Sequence, residues 1–138
     1  MGEHQKGASL IEVMVAFLIL SIGLLGLAML QAKSLRLNTD AYMRSQATLI
    51  AHELMENMRA NPTANYTIGA KPTGGCGSCN GVQQARYDDL VRWYDALEAQ
   101  LPGVVASITS TGSPRIYTIN VTWQERDIPV KQNWVLTL

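Results

Sequence analysis

Histidine, cysteine and phenylalanine are scarce in this chain: its 138 residues include two His, two Cys and one Phe. The two cysteines sit together at Cys76 and Cys79, and a zinc site built on them would need two further ligands, for which only His4 and His52 are available. Excess charge of either sign is missing too. Lys plus Arg is 11 and Asp plus Glu is 11, so the formal net charge is zero and no global field recruits nucleic acid or an anionic membrane. In the C-terminal half, Lys71, Arg86, Arg92, Arg115, Arg126 and Lys131 are scattered, which removes the usual footprint of a nucleic-acid partner. Ser/His/Asp triads, phosphate loops and paired carboxylates are likewise absent, so no catalytic residue, metal or cofactor is expected.

What the chain does have is apolar sequence, and it is unevenly placed. Hydrophobic residues are 47% of the total and concentrate at the N-terminus. From Val13 to Leu30 the only clearly polar side chain is Ser21, giving an apolar run of 18 residues. That is close to the roughly 20 a helix needs to cross about 30 Å of hydrocarbon. A cleaved secretory signal has a shorter apolar region and ends in small residues, a pattern that Met29-Leu30-Gln31-Ala32 does not offer. Helical spacing then continues through Met43, Ala47, Ile50, Ala51, Leu54 and Met58, with Arg44, Gln46, His52, Glu53 and Glu56 mostly off the stripe. One helix is therefore expected from near Ser9 to about Ala60, a spike with an apolar first half and an amphipathic second half.

Asn61-Pro62 should end that helix, since proline has no N–H to donate and restricts the residue before it. Thr63 to Gly81 is rich in Gly, Thr, Asn and Pro and reads as loop. ARYDDLVRWYDALEAQLPG, residues 85–103, predicts a second helix with Leu90, Trp93, Leu97 and Leu101 on one face. Val104 to Ser110, Ile116 to Gln124 and Val130 to Leu138 read as strands. The second alternates Tyr117, Ile119, Val121 and Trp123 with Thr118, Asn120, Thr122 and Gln124. Short links favour antiparallel pairing, so the expected fold class is α+β: a long N-terminal spike packed on a small antiparallel sheet, with one extra helix.

Within this plan Glu12 stands out, because a carboxylate at mid-bilayer costs about 2.5–3.5 kcal/mol, less near an end, and usually has a partner. One reading places it near the headgroups, held by the positive end of the helix dipole. The other invokes cleavage after Gly7. Ala8 then gains a charged amino group, and Glu12 lies four residues on along the same helical face.

The run Gly7-Ala8-Ser9-Leu10-Ile11-Glu12-Val13, behind a short polar leader, resembles the class III prepilin signal. Ser21 to Gln31, SIGLLGLAMLQ, resembles the PilV family of type IV pilus minor pilins. So, more weakly, does the head, through Asp89, Trp93, Leu97 and Leu101-Pro102-Gly103 after a cysteine pair, and through Tyr117 to Trp123. Ala8 departs from the phenylalanine that pilins more often carry, and the apolar helix lacks the proline common in major pilins. The resemblance implies a type IV pilin-like fold divided into a leader (1–7), a transmembrane and filament-core helix (8–31), the amphipathic half of the spike (32–60) and a head (61–138). It implies cleavage by prepilin peptidase between Gly7 and Ala8, N-methylation of Ala8, and an assembly role for Glu12. Implied partners are other minor pilins, the major pilin and the inner-membrane pilus assembly machinery. The place implied is the bacterial inner membrane, single-pass with the head in the periplasm, and then the pilus at the cell surface.

For Cys76 and Cys79 three readings stand: a disulfide, which an oxidising periplasm favours, a thioredoxin-type redox pair, and a zinc site. His52 with Glu53 and Glu56 is expected to form a solvated face. Asp88, Asp89 and Asp95 are expected as first-turn and surface charges of the second helix, and Trp93, Trp123 and Trp134 as core. Gly23 and Gly26 each weaken the first helix by roughly 1 kcal/mol relative to alanine, which points to a segment that bends or melts on packing. The sequence thus predicts a structural, non-enzymatic minor pilin. Its rivals are a minor pseudopilin of type II secretion and a membrane-tethered periplasmic redox protein using the cysteine pair.

Overall fold

Helix α1 runs unbroken over Leu10–Ala60, as its apolar and amphipathic periodicities require. The computed structural model describes residues 9–113 and 115–138. After α1 come α2 (Gly81–Gln100) and strands β1 (Val105–Thr111), β2 (Ile116–Glu125) and β3 (Ile128–Thr137). The strands form one antiparallel sheet in the order β1-β2-β3, giving the expected α+β, pilin-like architecture. The chain divides into two compact units, one ending at Thr39 and the other spanning Asp40–Leu138, and α1 contributes to both.

In the first unit every residue from Ser9 to Thr39 is exposed, including Leu10, Ile11, Phe17, Ile19, Leu25 and Leu30. An 18-residue window of α1 has a mean hydropathy of 2.7 with none of it buried, so the helix is long and apolar enough to cross a membrane.

The second unit is built around the apolar stripe of α1. Ala47, Ile50, Ala51, Leu54, Met55 and Met58 are buried at three- and four-residue steps. Against them pack Leu90, Trp93 and Leu97 of α2, Leu101 beyond its end, and the inner face of the sheet. On β2 the expected alternation holds: Tyr117, Ile119, Val121 and Trp123 have no exposed surface. Each large side chain buried this way contributes about 1.5–3 kcal/mol relative to leaving it in water. Trp134 on the edge strand β3 is only partly buried and packs against the core from its rim.

Helix α2 starts four residues before the Ala85 that its apolar pattern marks. The reason is a capping box. Asn80 Oδ1 accepts from the Gln83 backbone N–H at 2.9 Å, and Gln83 Oε1 accepts from the Asn80 N–H at 3.3 Å. The loop ahead of α2 is tied down at Ile68, which pairs with Ile108 of β1, and at Lys71, whose ammonium lies 2.6 Å from both Asp95 and Glu98. Hydrogen bonds to Asp95 and then Glu98 raise the Lys71 pKa above its ordinary value.

Between β2 and β3 the turn is two residues long, with Glu125 paired to Ile128. Arg126 and Asp127 both adopt positive φ, 52° and 66°. A two-residue hairpin asks for this left-handed backbone, which asparagine and glycine supply more easily than Arg and Asp.

Candidate functional site

The N-terminal segment is a helix start followed by an apolar surface. Ser9 stands just ahead of α1, and its carbonyl accepts from the N–H groups of Glu12 at 2.9 Å and Val13 at 3.2 Å. Glu12 therefore lies in the first turn, where unpaired N–H groups make the helix end positive and a carboxylate is favoured. Downstream, the one polar side chain of the apolar run needs nothing from solvent. The Ser21 hydroxyl donates to the Phe17 carbonyl one turn back, at 2.7 Å. Such back-bonding lets a hydroxyl sit in hydrocarbon without an unsatisfied donor.

Residues 4–28 match the family model described as the prokaryotic N-terminal methylation motif. The match covers the junction between the polar leader and the apolar helix, including Gly7, Ala8 and Glu12. It supports a pilin- or pseudopilin-like substrate of prepilin peptidase, a structural protein whose apolar helix fits inner-membrane anchoring before assembly. No curated protein matches the chain, and no solved structure does. Gly7 and Ala8, the expected cleavage and methylation positions, lie outside the described residues, as does the rest of the leader. Glu12 is exposed on α1.

Cys76 and Cys79 are joined by a disulfide, with their Cα atoms 5.7 Å apart. The pair belongs to the glycine-rich loop and ends one residue before the Asn80 cap of α2. His52, Glu53 and Glu56 are exposed on α1, and Glu56 forms an ion pair with Arg59 one turn on. Among the described residues no group of three or more His, Cys, Asp or Glu side chains is placed to hold a metal ion.

Two buried carboxylates organise the head. Glu125, at the end of β2, is 6% exposed and accepts three hydrogen bonds: from Arg44 Nε at 3.2 Å, Arg44 Nη2 at 3.1 Å and the Trp123 indole N–H at 3.2 Å. The hydrogen bonds from Arg44 hold its carboxyl below the usual value, outweighing the cost of burial, and the same contact raises the Arg44 guanidinium. One helical turn earlier, Asp40 accepts from Arg126 Nη2 at 2.6 Å. Asp40 and Arg44 on α1 thus engage the β2 end and the hairpin turn through two crossed ion pairs, and the left-handed Arg126 is part of that clamp.

The second buried acid corrects the sequence reading. Asp89 is not a first-turn surface charge: with α2 beginning at Gly81 it lies mid-helix, and it is 8% exposed. It accepts from the Tyr66 hydroxyl at 3.0 Å and from Arg92 Nη2 at 2.7 Å. Burial, then the hydrogen bond to Asp89, pushes the Tyr66 pKa up to about 12. Glu125, Arg126 and Tyr66 were not marked as site residues by pattern. From the residues Asp89 reads only as a surface charge of the second helix, since a single acid beside an apolar face carries no signal of its buried partners.

Proposed function

We propose that this chain is a minor pilin of the type IV pilus, of the PilV kind. Prepilin peptidase removes residues 1–7 and methylates Ala8. The helix over 8–31 is then held in the inner membrane, with the head over 61–138 in the periplasm, until the subunit is drawn into a filament or its tip complex. Other minor pilins and the major pilin are its partners there. The observation that carries this reading is Glu12 in the first turn of α1, behind the methylation motif and ahead of a wholly exposed apolar surface. A bare apolar helix is satisfied by lipid before assembly and by neighbouring helices after it, so moving between them costs little hydrophobic energy.

Glu12 supplies register. In an apolar filament core an unpaired amino terminus or an unpaired carboxylate is each penalised by several kcal/mol, so adjacent helices are accepted only where the two meet. Glu12→Ala and Glu12→Gln should both enter the membrane as wild type does, while their content in sheared pili relative to membranes falls at least tenfold. Wild-type incorporation of both variants would leave Glu12 with only a helix-dipole role and contradict the proposal.

A further inference from the structure

The apolar run of α1 is bounded by one charge at each end, Glu12 before it and Lys33 after it. Their 21-residue separation corresponds to about 32 Å of helix, which matches the roughly 30 Å of hydrocarbon in a bilayer. With Glu12 at one headgroup layer, Lys33 falls at the other. Arg36 follows three residues later on the same helical face, and both side chains are exposed. Side chains on a helix lean towards its N-terminus. From a helix leaving lipid in the C-terminal direction, two long cations therefore reach back to the phosphate layer.

Nothing on this stretch neutralises them. No acid lies between Val13 and Thr39, and Asp40, one turn beyond Arg36, is engaged by Arg126 at 2.6 Å. Among the described residues neither Lys33 nor Arg36 forms an ion pair. The flank is also the unusual one for cations, since the Lys and Arg excess of a membrane protein ordinarily stays on the cytoplasmic side. Once residues 1–7 are removed, no Lys or Arg precedes Lys33, so every basic side chain of the mature chain lies beyond the apolar run. Carrying two cations across the membrane is unfavourable unless the far side holds an anion for them.

We propose that Lys33 and Arg36 bind the phosphate of an anionic phospholipid, phosphatidylglycerol being the simplest, in the leaflet from which the C-terminal half of α1 emerges; this rests on the membrane reading above. Arg36 offers a fork of N–H donors and Lys33 a compact charge, and phosphate oxygens accept from both. A zwitterionic lipid brings its own cation beside the phosphate and competes poorly. The chain as a whole has no net charge, so the attraction is local to these two side chains. It fixes the depth of the waiting helix and is given up when the subunit leaves the membrane.

The test is native mass spectrometry of the full chain, released from non-ionic detergent micelles holding phosphatidylglycerol and phosphatidylcholine of the same acyl chains in equal amounts. Each cation near a lipid surface is worth about fivefold, so wild type should retain phosphatidylglycerol over phosphatidylcholine by at least tenfold. Lys33→Gln and Arg36→Gln should each lower that preference about fivefold, and the double variant at least tenfold. Lys33→Arg, which keeps the charge, should preserve it. Lys6 is present in every variant, so these differences report on Lys33 and Arg36. Equal retention of the two lipids by wild type would overturn the proposal and leave the cations to a neighbouring subunit's carboxylate. An undiminished preference in the double variant would overturn it as well. So would loss of the preference in millimolar glycerol phosphate, the mark of a site for free phosphate. A chain that carries no phospholipid of either kind would overturn the membrane reading along with it.

Discussion

At Glu125 a single carboxylate joins α1 to the end of β2, and its charge state sets the strength of that joint. Its folded-state pKa is depressed, so the stabilisation is fully present above its ordinary value of 4.5 and is lost as pH falls below it towards the lowered value. Glu125→Gln should lower the thermal midpoint at pH 7 and erase the difference from wild type in strong acid; parallel midpoint curves across that window would contradict the assignment. Tyr66 works at the other end of the scale. Its folded pKa is raised from 10.0 to about 12, so its contribution is complete below pH 10 and disappears as pH rises through 12. Tyr66→Phe should therefore unfold with a flatter pH dependence in that alkaline window. Of these residues only Glu12 was marked for function by the residues themselves, because an acid in an 18-residue apolar neighbourhood is visible without a structure. Glu125 and Asp89 each take a partner from outside their own element, Arg44 and Tyr66, and no local pattern reports that.

Among the elements, the long ones were readable and the starts and turns were not. The apolar stripe of α1, the face of α2 and the alternation of β2 rest on periodicity, and they appear where periodicity puts them. The extra first turn of α2 rests instead on Asn80 and Gln83, an N-cap and its partner that hide in a loop-like composition. The β2–β3 turn was hidden for a similar reason, since Arg126-Asp127 lacks the glycine or asparagine that advertises a hairpin. Asp127→Gly should accordingly stabilise the head by about 1 kcal/mol in denaturant titration, by removing a Cβ from left-handed backbone. Leu97→Ala, at a position with no exposed surface, should cost about 2–5 kcal/mol. Replacing Cys76 and Cys79 together by serine should cost about 2 kcal/mol, the chain-entropy value for so short a loop. In α1 a Cβ at Gly23 or Gly26 would meet nothing within 4 Å beyond the adjoining residues and the helix's own backbone, so packing inside the subunit does not require glycine at either place. Gly23→Ala and Gly26→Ala should each stiffen the helix by about 1 kcal/mol, read as slower amide exchange between Ser21 and Leu30.

For the whole molecule, the chain combines an apolar helical unit that buries nothing of itself with a second unit that holds its own core. Such a division makes sense when the first is destined for lipid or for other helices and the second must stay folded throughout. The central claim is that this chain is cut and methylated at the Gly7–Ala8 junction and then assembled. Intact-mass measurement on protein from its native membranes and from sheared filaments tests it most directly. The account predicts a chain beginning at Ala8 and carrying one added methyl group in both fractions. A chain recovered from filaments with residues 1–7 still attached would contradict it.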